Sequence, residues 1–329
     1  MIWPDKSEGP YFDELAVGDR VDGAPGVTLT EGHAAVHQAV LGDRLRLPLD
    51  HALARDVAGA GPLAHPALVW DVAIGQSTLV THHVRANLFY RGLAFHRYPV
   101  IGDTLRTVTE VVGLRENTRK PGRAPTGLAA LRITTVDQED RPVLDFWRCA
   151  MLPLRSTEPT GHRDDLTTLG ATEVGAPSLA GWDLARFRAR VPGEHFAAMT
   201  VGRSWQVVGA DVVSSAPELA RLTVNIAMAH HDEVAAGGQR LVYGGHPVGV
   251  ALSQACRAIP NIVTVAGWAS CDHPGPVHEG DSLSSRVEVT GVEPLPAGGL
   301  VSLRSTVDAR AGGAAARPVL DWRFTVVLA

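Results

Sequence analysis

The chain repeats itself once, over a distance long enough to contain a whole domain. The segment 99–105 (PVIGDTL) returns as 276–283 (PVHEGDSL), and the segment 141–147 (RPVLDFW) returns as 317–322 (RPVLDW). Corresponding residues in these and in weaker matches are 176 to 184 positions apart. A period of roughly 20 to 50 residues would be typical of a solenoid. The longer period predicts two related domains in one chain.

The stretch between the two copies has the composition of a linker. Residues 156–178 are rich in Gly, Pro, Ser and Thr, which favour turns and irregular structure. We therefore predict a first domain over residues 1–155, a linker over 156–183 and a second domain over 184–329.

Both domains share one plan, an apolar helix followed by strands. In the second half, Val248–Ala255 is apolar nearly all round, as in a buried helix. Hydrophobic residues alternate with polar ones in the segments that we predict as strands, which are 104–112, 128–136, 283–290 and 320–328. Antiparallel strands that follow one buried helix predict an α+β fold.

Composition excludes several classes of function. The 329 residues are 45% hydrophobic and 20% charged, as in an ordinary globular protein. The net charge is -5 and the sequence has no basic stripe, so we do not expect nucleic-acid binding. The sequence contains no run of eighteen apolar residues, so we expect no membrane span. The N-terminus does not resemble a signal peptide. Three widely spaced cysteines predict neither disulfides nor a metal knuckle. We expect a cytoplasmic protein, and the low lysine content favours a bacterial source.

One stretch of the second half concentrates groups suited to chemistry. Asn225 precedes His230 by five residues, and Gly244 and Gly245 follow at the start of the predicted helix. A histidine with a pKa of about 6.5 exchanges protons near neutrality, and an amide side chain can hold a water molecule. The free N–H groups at a helix start favour negative charge that develops on a bound group. The stretch is therefore the strongest candidate for a catalytic site in the sequence.

Simpler interpretations exist for each of these residues. Asn225 and His230 alone could be an incidental polar pair on a helix, and His231 could be a solvated neighbour or could exchange roles with His230. Tyr243 could donate a hydrogen bond to substrate or only pack. His246 could contact substrate, or could be a supporting group or a hydrogen-bonded core histidine.

Two further groups of residues have weaker patterns. The histidines at 65, 82 and 83 do not have the spacing of a metal site, so no metal is expected. A basic loop in the first half could bind CoA phosphates or a free carboxylate, or could serve solubility alone. Its members are Arg115, Arg119, Lys120 and Arg123.

These motifs resemble those of the MaoC-like dehydratases, whose hotdog fold wraps an antiparallel sheet around a long central helix. The resemblance covers both halves. It depends on segment 12–19, on the helix entry at 242–246 and on the Gly-Asp turns at 99–105 and 276–283. Two copies in one chain imply a double hotdog, with two antiparallel sheets that each wrap a central helix.

The resemblance also implies a catalytic pair. The family's usual signature is Asp-x4-His ahead of the helix entry, and Asn225 and His230 have that spacing with Asn in place of Asp. In the first half Leu41 or Asp43 aligns with Asn225, and no register yields a histidine at the second position. The resemblance therefore implies that the second half is active and that the first half is a degenerate scaffold.

The implied activity is that of an enoyl-CoA hydratase or dehydratase. Segments 112–117 and 240–246 are similar to the branch that acts on mesaconyl-CoA, so a short branched or dicarboxylic enoyl-CoA is the expected substrate. His230 would act as base and acid, Asn225 would position water, and Gly244 and Gly245 would bind the thioester oxygen. No cofactor is expected beyond the CoA of the substrate.

Two other functions remain open from the sequence. Hotdog folds also host acyl-CoA thioesterases, and a non-catalytic acyl-CoA-binding protein would account for the degenerate first half. Each sheet leaves an edge that needs a cover, which the two halves would supply to each other. A homodimer is compatible with this plan.

Overall fold

The computed structural model describes residues 8–170 and 178–329. Its α-helices are α1 (Glu31–Leu41), α2 (Arg46–Leu49), α3 (His51–Ala58), α4 (Pro66–Gln76), α5 (Leu184–Arg190), α6 (Ala216–Leu222) and α7 (Gly245–Ala258). Short 3-10 turns cover Phe12–Glu14, Ser77–Leu79, Phe196–Ala198 and Met228–His230.

The strands divide evenly between the two halves. Those of the first half are β1 (Arg20–Val21), β2 (Val27–Thr28), β3 (Ala86–Phe95), β4 (Thr104–Glu116), β5 (Thr126–Val136) and β6 (Pro142–Pro153). Those of the second half are β7 (Ser204–Gln206), β8 (Asp211–Val212), β9 (Ile262–Asp272), β10 (Ser282–Leu295), β11 (Gly298–Arg310) and β12 (Arg317–Leu328). All four strands predicted from alternation are therefore confirmed.

The two halves share a single antiparallel sheet. The strand order is β1-β4-β5-β6-β3-β9-β12-β11-β10-β7, with β2 beside β4 and β8 beside β10. β3 and β9 form the junction, where Tyr90 pairs with Cys271 and Leu93 pairs with Trp268. The sequence predicts one sheet per half. In the structure the sheets of the two halves are joined into one, because the pairing of β3 with β9 satisfies two strand edges that would otherwise be exposed.

A buried helix lies against the sheet in each half. Every residue of α4 is buried, including the two polar ones, Asp71 and Gln76, as expected for a helix that is apolar on nearly all sides. Pro66 occupies its first turn, where a missing N–H costs nothing, and His65 Nδ1 accepts the N–H of Ala67 at 3.2 Å. In α7, the predicted helix of the second half, eleven of fourteen residues are buried. The two helices contact each other.

Three tryptophans form the centre of the shared core. Trp70 of α4 meets Trp268 of β9 edge to face at 4.7 Å between ring centroids, and Trp322 of β12 lies 5.6 Å from Trp268. All three are fully buried. Because the three tryptophans come from both halves, the core is shared by the two halves, as the sheet is.

The predicted linker begins as a segment held against the first half. Asp164 donates its N–H to the Leu114 carbonyl at 3.1 Å, and Leu166 is buried. Residues 171–177 lie outside the described part of the chain. Beyond them, α5 packs on α3, with an ion pair between Arg190 and Asp56. The domain boundaries remain a prediction.

None of the helices in the described part of the chain is long and apolar enough to cross a membrane.

Candidate active site

The two halves enclose one cavity of about 300 Å³ beside the start of α7. Its wall is formed by side chains and backbone of both halves. The first half contributes Thr78, Thr81, Val84, Arg85, Ala86, Asn87, Tyr90 and Arg148. The second half contributes Asn225, Ala227, His230, Leu241, Val242, Tyr243, Gly244, Pro247, His273, Pro274, Gly275, Pro276 and Val277.

Asn225 and His230 both line this cavity, and they do so from a loop rather than a helix. α6 ends at Leu222, and a 3-10 turn begins at Met228. Asn225 Oδ1 accepts the N–H of Ala227 at 3.0 Å, which fixes the orientation of the amide. Its Nδ2 is buried without a hydrogen-bond partner in the described structure. Asn225 is therefore left with a donor to offer.

The imidazole of His230 is held in one orientation by the backbone. Its Nδ1 donates to the Leu241 carbonyl at 2.8 Å, so in the neutral ring Nε2 carries the lone pair. Burial lowers the pKa of His230 to about 4. The ring is thus neutral at physiological pH, and the lone pair of Nε2 is available to a hydrogen donor.

His231 serves the loop instead of the cavity. Its Nε2 donates to the Asn225 carbonyl at 2.7 Å, and its ring does not line the cavity wall. This contact closes the loop around Asn225. The alternative in which His231 takes the role of His230 is not favoured by this geometry.

Gly244 and Gly245 occupy different environments. Gly244 lines the cavity, where a Cβ atom would lie 3.3 Å from His273 Nε2 and 3.5 Å from the Tyr90 hydroxyl. Gly245 does not line the wall. A Cβ there would lie 2.3 Å from Asp71 Oδ1, so this glycine makes room for a carboxylate rather than for substrate. Neither backbone N–H donates to another described residue.

Tyr243 links the cavity to a buried chain of polar groups in the first half. Its hydroxyl donates to Asp71 Oδ1 at 3.0 Å. His37 lies between two carboxylates, with Nε2 3.3 Å from Asp71 Oδ2 and Nδ1 2.5 Å from Asp43 Oδ2. Burial alone would lower the pKa of His37, but the carboxylates Asp43 and Asp71 outweigh it and raise the pKa to about 10. His37 is therefore a buried cation.

His246 lies outside the cavity wall. The side chain is fully buried, and neither ring nitrogen has a hydrogen-bond partner in the described structure. Burial lowers its pKa to about 4. The structure thus does not bring His246 to the position of a substrate contact, and it does not make it a hydrogen-bonded core histidine either.

Comparison with known proteins gives the family. No family model matches the chain. A solved structure from Mycobacterium tuberculosis, the conserved hypothetical protein RV0216 with a double hotdog fold, is 55% identical, with a TM-score of 0.93 over 98% of this chain and 100% of that one. β-Methylmalyl-CoA dehydratase of Chloroflexus aurantiacus is 26% identical over 302 residues, which are 88% of this chain and 84% of the relative.

One more sequence relative and one more solved structure match most of the chain. Mesaconyl-CoA hydratase of Cereibacter sphaeroides is 25% identical over 290 residues, or 85% of this chain and 83% of the relative. The solved structure of a MaoC domain protein from Chloroflexus aurantiacus has the same fold, with a TM-score of 0.82 over 98% of both chains at 24% identity. The chain belongs to the same family as RV0216, and it resembles the MaoC-like dehydratases. The predicted double hotdog is confirmed, and the curated relatives agree with the predicted class of hydro-lyase.

This double hotdog protein has a buried arginine in its cavity that sequence reasoning missed. Arg148 is 4% exposed, donates from Nη2 to Thr81 Oγ1, and has an Nε without a partner in the described structure. It occupies an inward position of β6, between Phe146 and Ala150, which are both in the core. Aligning the two copies of the repeat could have revealed it, because Arg148 then falls at the position where β12 has the apolar residue Phe324.

A second cluster of polar groups lies in the first half, outside the cavity wall. His37, Asp43 and His65 offer atoms within 4.8 Å of one another, as a metal site would. However, both nitrogens of His37 contact carboxylates, and His65 Nδ1 accepts the N–H of Ala67. We interpret the cluster as a hydrogen-bond network. The other two histidines of the sequence pattern lie apart from it, since His82 bonds to the Glu8 carbonyl.

The basic loop lies on the hairpin between β4 and β5, and its residues do not line the cavity. Arg119 pairs with Glu116 at 2.8 Å and donates to the Thr157 carbonyl. A role in binding CoA phosphates remains a prediction.

Proposed function

We propose that the protein is an enoyl-CoA hydratase/dehydratase whose substrate is a short branched or dicarboxylic enoyl-CoA such as mesaconyl-CoA. The observation that carries the proposal is His230: a neutral imidazole on the cavity wall, with Nδ1 held by the Leu241 carbonyl and Nε2 left as the basic nitrogen. The two curated relatives, which are a dehydratase and a hydratase of CoA thioesters by name, support the same reaction.

The residues suit each step of hydration. His230 Nε2 takes a proton from water as the water oxygen bonds to Cβ of the enoyl group. The π electrons move onto the thioester oxygen, where the free N–H group of Gly244 on the cavity wall, at the start of α7, stabilises the charge. The imidazolium then returns its proton to Cα. Dehydration is the same sequence in reverse.

Charge in the cavity supports a substrate with a free carboxylate. Among the described residues that line the wall, two are arginines, Arg85 and Arg148, and none is Asp or Glu. A buried guanidinium without a carboxylate partner costs several kcal/mol unless a ligand compensates it. An acyl group with its own carboxylate would form a charge-assisted pair with Arg148.

The remaining parts of the proposal follow from this reaction. CoA enters only as part of the substrate, and none of the steps above calls for a metal or a redox cofactor. We place the protein in the bacterial cytoplasm, where acyl-CoA thioesters are handled.

The test is a turnover assay on the purified protein. Mesaconyl-CoA and crotonyl-CoA are supplied in turn, and the enoyl-thioester absorbance and the release of free thiol are followed together. The proposal expects loss of absorbance without thiol release, faster with mesaconyl-CoA. Thiol release would indicate a thioesterase, and acyl-CoA binding without turnover would indicate a non-catalytic binding protein.

A further inference from the structure

The cavity of the proposed hydratase has no carboxylate on its described wall, although a water molecule that attacks Cβ has two hydrogens to donate, one that leaves as a proton and one that stays in the product hydroxyl. His230 Nε2 accepts one of them. Asn225 offers Nδ2, a donor, because its Oδ1 already accepts the N–H of Ala227. An ordered water makes two to four hydrogen bonds. A second acceptor for the water is therefore needed from another residue.

Tyr243 fits this need. It lines the cavity next to His230, with 5.9 Å between the two ring centroids. Its hydroxyl hydrogen is directed to Asp71 Oδ1 at 3.0 Å. A phenol has one hydrogen to donate, so the lone pairs of this oxygen are left to accept a hydrogen bond. Donation to a carboxylate also polarises the hydroxyl and makes its oxygen a stronger acceptor.

The first half is built to hold Asp71 in that position. Asp71 is fully buried on α4, and His37 approaches its other oxygen at 3.3 Å. His37 is itself fully buried and lies between the carboxyl groups of Asp71 and Asp43, whose Oδ2 atoms are 3.3 and 2.5 Å from its two ring nitrogens. Gly245 leaves the space, since a Cβ atom there would lie 2.3 Å from Asp71 Oδ1. Three elements of the fold thus converge on this one hydrogen bond.

We propose that Tyr243 is the second catalytic residue of this site, accepting a hydrogen bond from the attacking water, and that Asp71 and His37 of the first half position it. The inference rests on the proposed hydratase function and deepens it. The carboxylate that Asn225 does not supply comes from the other half of the chain and acts through a phenol. The first half is then a working part of the site and not only a scaffold.

The experiment compares Tyr243→Phe with a matched control, Tyr98→Phe. Tyr98 also donates its hydroxyl hydrogen inside the protein, to the Val265 carbonyl at 3.0 Å, but it does not line the cavity. We expect Tyr243→Phe to lower kcat about 10²-fold with KM for mesaconyl-CoA nearly unchanged, because the lost contact is to water and not to the acyl-CoA. Tyr98→Phe should keep kcat within about twofold of the wild type.

Variants of Asp71 separate positioning from packing. Asp71→Asn keeps an oxygen that can accept from Tyr243, whereas Asp71→Leu does not. We expect kcat to fall in the order wild type, Asn variant, Leu variant, and Tyr243→Phe to add little to Asp71→Leu because both remove the same contact. Equal kcat in the Asn and Leu variants, or full additivity with Tyr243→Phe, would overturn the positioning role.

Two readouts keep this inference distinct from the proposed function. If the wild type hydrates enoyl-CoA and Tyr243→Phe retains the full kcat, the inference is wrong and the hydratase stands. If the wild type hydrates none of the enoyl-CoA substrates, the proposed function fails. A high-resolution crystal structure then decides on Tyr243 alone. An ordered water bonded to Tyr243 Oη and His230 Nε2 that is lost in Tyr243→Phe supports the inference, and its absence from the wild type contradicts it.

Discussion

Arg148 on β6 and Phe324 on β12 occupy the same place in the two halves of the repeat. Each follows its Asp-containing motif at the same distance, and each is nearly fully buried, at 4% and 1% exposure. One strand thus carries a cation where its counterpart carries a phenyl ring. Since only Arg148 lines the cavity, the difference gives the cavity a buried cation from the first half.

Replacing this cation should change substrate preference more than stability. For Arg148→Met we expect the ratio of kcat/KM for mesaconyl-CoA over crotonyl-CoA to fall about 10- to 100-fold, because a hydrogen bond to a charged group contributes about 1.5 to 3 kcal/mol. The thermal midpoint should stay the same or rise, since Met suits the apolar face of β6. Arg132→Met on the neighbouring strand is the control, because Arg132 is half-exposed and pairs with Asp145 outside the cavity. An unchanged ratio in Arg148→Met would argue against a carboxylate contact.

Gly245 should be intolerant of a methyl group. The Cβ of Gly245→Ala would overlap Asp71 Oδ1 and the ring of Tyr243, at 2.3 and 2.4 Å. We expect a loss of about 1 to 3 kcal/mol in the free energy of unfolding, typical of an overpacked core. Gly32→Ala in α1 is the matched control, because the nearest atom is 3.6 Å away and alanine favours the helix. Urea denaturation of both variants measures the difference, and equal stabilities would show that the Asp71 contact is loose.

The fold was predictable from the sequence because its signals are local or repeated. Alternation along β12 put five apolar side chains on one face, and all five are buried. The helix of the second half was likewise predicted from its sequence, which is apolar on nearly all sides over Val248–Ala255. The continuity of the sheet was not, because the pairing of β3 with β9 joins strands about 180 residues apart and no short-range pattern encodes it.

The site was predictable only where its residues lie close together in the chain. Asn225, His230 and Gly244 fall within twenty residues, and all three line the cavity. Asp71 and Arg148 come from the other half, and they reach the site through long-range packing. Arg148 could have been found by aligning the two copies of the repeat, which places it against Phe324. Asp71 carried a comparable signal, because aligning His65-Pro66 with His246-Pro247 places this carboxylate against Leu252.

Buried neutral histidines should make the fold sensitive to acid. Burial lowers the pKa of His246 to about 4, and burial likewise lowers that of His65 to about 4 despite Asp43. In the unfolded chain both would titrate near ~6.5, so the unfolded state binds more protons below that pH. Stability is therefore full above about pH 6.5 and declines as the pH falls toward 4, by up to about 3 kcal/mol for each histidine.

The variant His246→Leu isolates this effect. It removes a buried imidazole with two unpartnered nitrogens, so we expect its stability relative to the wild type to be greater at pH 5 than at pH 7.5. Urea denaturation at the two pH values makes the comparison. A constant difference between the two proteins would show that His246 does not resist protonation in the folded state.

The pH dependence of turnover should have its acid limb far below the usual range of histidine. Burial lowers the pKa of His230 to about 4, and only the neutral ring can take a proton from water. We expect kcat/KM for hydration to stay level from neutrality down to about pH 5 and to fall below it. Measurements over short exposures separate this limb from acid unfolding. A half-maximal rate near pH 6.5 would contradict a desolvated His230.

The comparison of His230→Ala with His231→Ala tests the central claim most directly. The two histidines are neighbours, but one lines the cavity and the other bonds to the Asn225 carbonyl outside it. In hydration of mesaconyl-CoA we predict that kcat/KM falls about 10² to 10⁴-fold in His230→Ala and less than about tenfold in His231→Ala. An intact rate in His230→Ala, or a larger loss in His231→Ala, would contradict the account.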